Sequence, residues 1–215
     1  MHGQAPATER RHNGAMDTVK QEIAAEAAAL VVDEGLDYGQ AKRRALKKLG
    51  LPPRTALPDN LLVEEAVREH IALFHADTQP GELRALRELA LVWMERLAEF
   101  QPHLGGTVWH GTATRLSDIF LQLFSDDPKA VEIALINQHV DYDARSVTGL
   151  HGNEVEALSL NVRAPELQNW VGVHLLVNDT TALRGALLPD DAGRKPRGTA
   201  KDVRALLADN ETIAP

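Results

Sequence analysis

Apolar residues recur at intervals of three and four up to Phe100 and at intervals of two from Ile119 onward. The chain therefore changes secondary-structure type once, near Pro102. That change of period constrains the fold more than any other feature, because it demands helices first and then strands interleaved with helices. Four helices are expected before it. The first, over about 17 to 34, sets Ile23, Ala27, Leu30 and Val31 on one stripe of an alanine-rich segment. The second opens on Asp37 as N-cap, carries Ala41, Ala45, Leu46 and Leu49 on its apolar face, and stops at Gly50 before Pro52 and Pro53. The third follows Pro58 and Asp59 with Val63, Val67, Ile71 and Phe74. The fourth carries Leu83, Leu86, Ala90, Trp93, Leu97 and Phe100, and Pro102 ends it.

Past Pro102, Ile119, Leu121 and Leu123 alternate with Phe120, Gln122 and Phe124, as a strand requires. Ser125-Asp126-Asp127-Pro128 then starts a helix that reaches about Gln138. Further strands are expected near 142 to 148, 154 to 163 and 171 to 178, the last with Val171, Val173, Leu175 and Val177 on one face. Thr199 with Asp202 resembles a capping arrangement for a short helix to about Ala208. The expected class is α+β, a helical region of about four helices followed by a mixed, largely antiparallel sheet with flanking helices. The expected divisions are a disordered arm over 1–15, a helical region over 16–101, an α/β core over 102–192, and a basic loop, short helix and tail over 193–215.

Composition narrows the function. Of 215 residues, 44% are hydrophobic and none is cysteine, so the chain can build a core while disulfides and thiolate metal sites are excluded. A reducing, cytoplasmic setting is expected. The first fifteen residues lack an apolar stretch, and no window approaches eighteen consecutive apolar residues, so neither an export signal nor a membrane span is read. A net charge of −8 opposes wholesale coating of nucleic acid. Lys42, Arg43, Arg44, Lys47, Lys48 and Arg54 nonetheless form a cluster between Gly39 and Leu57 that contains no acid. The first five are candidate nucleic-acid contacts, and the two helices about Gly35 faintly resemble a helix-turn-helix; a solvated basic face is the ordinary alternative. Nine histidines invite a metal, but His70 and His75 are five apart and so are expected on different faces of their helix.

The segment from Leu104 to Phe124 reads LGGTVWHGTATRLSDIFLQLF. An apolar residue, a glycine pair, a short helix and an aspartate at the start of a strand together resemble the nucleotidyltransferase superfamily. The likeness covers about twenty residues. It implies a nucleoside triphosphate partner, an unknown acceptor and Mg²⁺, with Gly105, Gly106, Thr107, His110, Arg115 and Ser117 around the nucleotide. It also implies Asp118 as catalytic carboxylate and metal ligand. A third carboxylate on a later strand has Glu156 as its candidate, catalytic and metal-binding, and His174 occupies a comparable apolar setting as a further metal candidate. Carboxylates two apart on a strand share a face and clamp a metal pair. Here the second of them is replaced, because Phe120 stands two after Asp118 and Gln122 two after that. Three functions follow: an active nucleotidyltransferase, an inactive nucleotide- or partner-binding module of that fold, and a nucleic-acid-binding regulator using the basic helix over 40–49. A plain turn followed by a strand-capping aspartate is the bland alternative to all of them.

Overall fold

A computed structural model describes residues 7–150, 152–189 and 193–211. Its contacts divide the chain into two compact units, one ending at Asp77 and the other beginning at Thr78.

The first unit holds three helices, α1 (Ala7–Glu34), α2 (Tyr38–Lys48) and α3 (Asn60–Phe74). Asp37 and Asp59 cap the second and third, each accepting from the backbone N–H three residues on, Gln40 and Leu62, at 2.8 Å. Ile23, Ala27 and Leu30 of α1 pack with Ala41 and Ala45 of α2 and with Val63, Val67 and Ile71 of α3. Small alanines at these contacts let the backbones approach closely. Gly50 adopts φ 66°, the left-handed conformation that closes α2. Two expectations are corrected. The arm expected over 1–15 is helical from Ala7, where alanine, glutamate and arginine are strong helix formers; residues 1–6 lie outside the described residues. Leu49 and Phe74, expected on buried stripes, are exposed, because both sit at the C-terminal ends of their helices, past the span of the shared core.

The second unit opens with α4 (Gln79–Arg96), followed by β1 (His103–Gly105), α5 (Gly106–His110), β2 (Ile119–Phe124) and α6 (Pro128–Asn137). It continues through β3 (Asp143–Thr148), β4 (Glu154–Ala164), β5 (Asn169–Asn178), α7 (Leu183–Ala186), β6 (Arg197–Gly198) and α8 (Ala200–Glu211). The strands form one six-stranded sheet in the order β3-β4-β5-β2-β1-β6. β2 and β5 are parallel and every other pair is antiparallel, so the class is α+β with a mixed, largely antiparallel sheet. The boundary near 101 shifts to Asp77, because Leu86 and Trp93 of α4 and Leu97 just after it share a core with Leu104, Leu121, Leu158 and Leu175 of the sheet. An amphipathic stripe identifies a helix without naming what it packs on. Among the described residues, no helix is long and apolar enough to cross a membrane.

Register separates the two faces of the sheet. Ile119, Leu121 and Leu123 of β2 oppose Val173, Leu175 and Val177 of β5 on the buried face. Phe120 opposes His174 on the other face, and His174 opposes Ser159 of β4. That second face carries the candidate site.

Candidate functional site

The chain leaves β1 through Gly105 and turns into α5 at Gly106, whose φ of 68° is a conformation that glycine adopts without steric cost. Arg87 of α4, itself buried, braces this short helix from behind. Its Nε donates to the Val108 carbonyl at 3.1 Å and its Nη2 to the Trp109 carbonyl at 3.3 Å. Burial lowers its pKa, yet the carbonyls at the C-terminal end of α5 are where a cation is favoured. Trp109 lies against Gly198 of β6 and donates its indole N–H to the Lys195 carbonyl at 2.8 Å. The glycine turn is thus held between α4 and the edge strand.

β2 begins just after a tight turn in which the Ser117 hydroxyl accepts from the Thr114 N–H at 3.0 Å. This sets Asp118 beside β5. Its Oδ1 accepts from the Gly172 N–H at 3.0 Å, and its Oδ2 lies 3.2 Å from His174 Nε2. The hydrogen bond from His174 does most to hold the carboxyl below its ordinary pKa; partial burial opposes it, while the imidazole charge, the Gly172 N–H and the Arg145 guanidinium add to it. An ionised Asp118 accepts, so Nε2 of His174 carries a proton, and the Ser159 hydroxyl meets Nδ1 at 2.9 Å. This Ser159–His174–Asp118 chain fixes the orientation of the imidazole. Phe120 stacks on the same ring, with centroids 4.8 Å apart and planes 29° apart. A Cβ at Gly172 would stand 2.6 Å from Asp118 Oδ1, so any side chain there requires the Asp118 carboxylate to move.

The structure brings Asp118 and His174 together and leaves Glu156 apart. Glu156 pairs with Val177 and so shares the face of Leu158 and Leu160, opposite to His174. There its carboxylate lies 3.5 Å from Lys129 of α6. The metal set Asp118, Glu156 and His174 is therefore not assembled. Nor do the residues fit a Mg²⁺ pair: both oxygens of Asp118 are already engaged, and a phenyl ring occupies the position where a second same-face carboxylate would stand. Among the remaining candidates, Thr107 and His110 are half-buried at the two ends of α5, and the Ser117 hydroxyl is committed to its turn. Arg115 is exposed, and its backbone N–H donates to Glu82 at 2.9 Å.

In the first unit, the basic face of α2 is largely answered from within. Lys42 donates to the Pro58 carbonyl at 3.2 Å and to the Asn60 side chain at 2.9 Å. Arg44 pairs with Glu34, and Lys48 with Glu26. Arg43 and Lys47 are exposed. Both acids belong to α1, outside the counted segment, so a count of charges confined to that segment misses them.

Sequence reasoning also missed Ser159 and Arg145, which reach the site only through the β3–β4–β5 register, and for which a single sequence carries no signal. Trp170 is 63% exposed on the face that carries His174.

No family model and no curated protein matches this chain. Among solved structures it is similar to one described as Cid1 in complex with the UTP analog UMPNPP, at 14% identity and a TM-score of 0.34. The match covers 58% of this chain and 40% of that one, so the chain spans less than half the length of the structure it matches. A likeness that slight places no residue of the site.

Proposed function

We propose that the second unit is a nucleotidyltransferase-like module that binds a nucleoside phosphate on its open sheet face and does not transfer it. One observation carries the reading. Gly105 and Phe120 are cross-strand partners, which sets a backbone turn rich in N–H groups beside an exposed aromatic ring already stacked on an imidazole. A base stacks on such a ring whatever its identity, and phosphate oxygens accept from backbone N–H groups at a glycine turn. The missing second carboxylate argues against two-metal transfer and leaves binding as the supported activity.

The test is a thermal-shift matrix of four nucleoside triphosphates, each with and without Mg²⁺ or Mn²⁺, on wild type, Phe120→Ala, Gly172→Ala and Asp118→Ala, followed by a radiolabel transfer assay. A nucleotide-dependent shift that needs no metal and falls in Phe120→Ala is expected. Losing one stack at about 1–3 kcal/mol weakens binding roughly five- to 150-fold. Gly172→Ala displaces Asp118 and reports whether the Asp118–His174 pair contributes. The absence of a shift with every nucleotide refutes binding. Label transfer that requires metal and disappears in Asp118→Ala refutes inactivity.

A further inference from the structure

The first unit carries a side-chain cluster unrelated to the glycine turn. Asp33 lies in the last turn of α1, His70 in α3, and His75 caps α3 at its C-terminus. Asp33 Oδ2 is 3.3 Å from His70 Nε2, and Asp33 Oδ1 is 3.0 Å from His75 Nε2. The ligand atoms of all three residues lie within 4.8 Å of one another, the one such group of three among the described residues.

Two histidines five apart diverge on a continuous helix, which is why their spacing reads as no site. The helix does not continue. It ends at Phe74, and His75 leaves the helical path with φ −130° and ψ 15°, so its ring turns back toward that of His70 with centroids 5.9 Å apart. The expectation that these two histidines lie on different faces is thereby corrected.

The three side chains stand close enough to share one ion. A first-row divalent ion with bonds of about 2.0–2.2 Å sets its ligand atoms about 2.9–3.5 Å apart, depending on octahedral or tetrahedral geometry. His70 and His75 each approach a different oxygen of Asp33 at such a distance, and one carboxylate oxygen with the two nitrogens lies within 4.8 Å. Both imidazoles present Nε2, and the side chains are 49%, 17% and 31% exposed for Asp33, His70 and His75, so water reaches the remaining positions. We propose that Asp33, His70 and His75 bind one borderline divalent cation of the Zn²⁺ type, clamping the C-terminal end of α1 to that of α3. Two nitrogen donors and one carboxylate suit Zn²⁺, Co²⁺ or Ni²⁺; Mg²⁺ favours an all-oxygen shell.

The full-length chain is stripped with a chelator and titrated with Co²⁺, whose visible bands report nitrogen and oxygen ligation, and then with Zn²⁺ in competition. Wild type, His75→Ala and Asp33→Asn are compared, the last keeping the shape of the side chain. One equivalent of Co²⁺ displaced by one of Zn²⁺ is expected, with affinity at least tenfold weaker in each variant and a Zn²⁺-dependent rise in Tm seen in wild type alone. Mg²⁺ at the same concentration leaves Tm unchanged. Wild type that binds no more Co²⁺ than the two variants overturns the proposal and reduces the cluster to an ion pair. So does a shift of equal size with Mg²⁺.

Discussion

Replacing Gly198 by alanine measures how the edge strand holds the glycine turn. Gly198 pairs with Leu104 of β1, and Trp109 of α5 lies over it, so a Cβ built there would stand 2.2 Å from Cζ3 and 2.3 Å from Cη2 of the indole. Carbons in ordinary contact are about 3.5–4.0 Å apart, so the ring must shift by more than about 1 Å or β6 must withdraw. The ring is anchored by its N–H bond to Lys195 at 2.8 Å. Overpacking a filled site costs about 1–3 kcal/mol, and a hydrogen bond lost with it adds about 0.5–1.5 kcal/mol. A loss of about 2–4 kcal/mol follows, or a fall of roughly 5–15 °C in the Tm of the second unit. Calorimetry of wild type, Gly198→Ala, Trp109→Leu and the double variant is the assay. With the indole gone, the alanine should cost less than about 1 kcal/mol, which makes the pair strongly non-additive. An alanine that costs as much in the Trp109→Leu background as beside the indole, or nothing in either, refutes the steric reasoning.

Arg87→Met removes the donor to two carbonyls of α5, at least one of them buried, and should lower stability by about 2–4 kcal/mol; an unchanged guanidinium-chloride midpoint contradicts that. His103 packs edge-on against Phe124, and burial holds its pKa below the ordinary 6.5. The unfolded chain therefore binds more protons just below pH 6.5, so the stability due to neutral His103 is complete above 6.5 and declines as pH falls toward the lowered value. Stability measured from about pH 8 down to about pH 5 should fall more steeply in wild type than in His103→Leu, and parallel profiles would refute the assignment.

Much of this architecture is legible before any coordinates. Asp37, Asp59 and Asp127 announce their helices because a capping carboxylate acts within three residues of itself. The alternation of Ile119, Leu121 and Leu123 survives as β2 because period two is a local property. What escapes depends on partners distant in sequence. β1 and β6 hold three and two residues, too few to show any period. Glu156 and His174 look equivalent as polar residues among apolar neighbours, and only the β4–β5 register places them on opposite faces. Likewise, Glu26 and Glu34 answer the basic helix from another element, and His75 reaches Asp33 only because the helix stops one residue before it.

The two largest apolar clusters among the described residues, one about Ile23 and Val67 and the other about Leu121 and Leu175, have no residue in common. Denaturation of the chain is accordingly not obliged to be a single all-or-none event, and one midpoint fitted to the whole melting curve mixes two free energies. A change at Gly198 or Arg87 belongs to one of these and a change at His75 to the other. The calorimetric enthalpy should therefore be apportioned before any substitution is scored, with Trp93 and Trp109 as spectroscopic reporters for the second cluster and Tyr38 for the first.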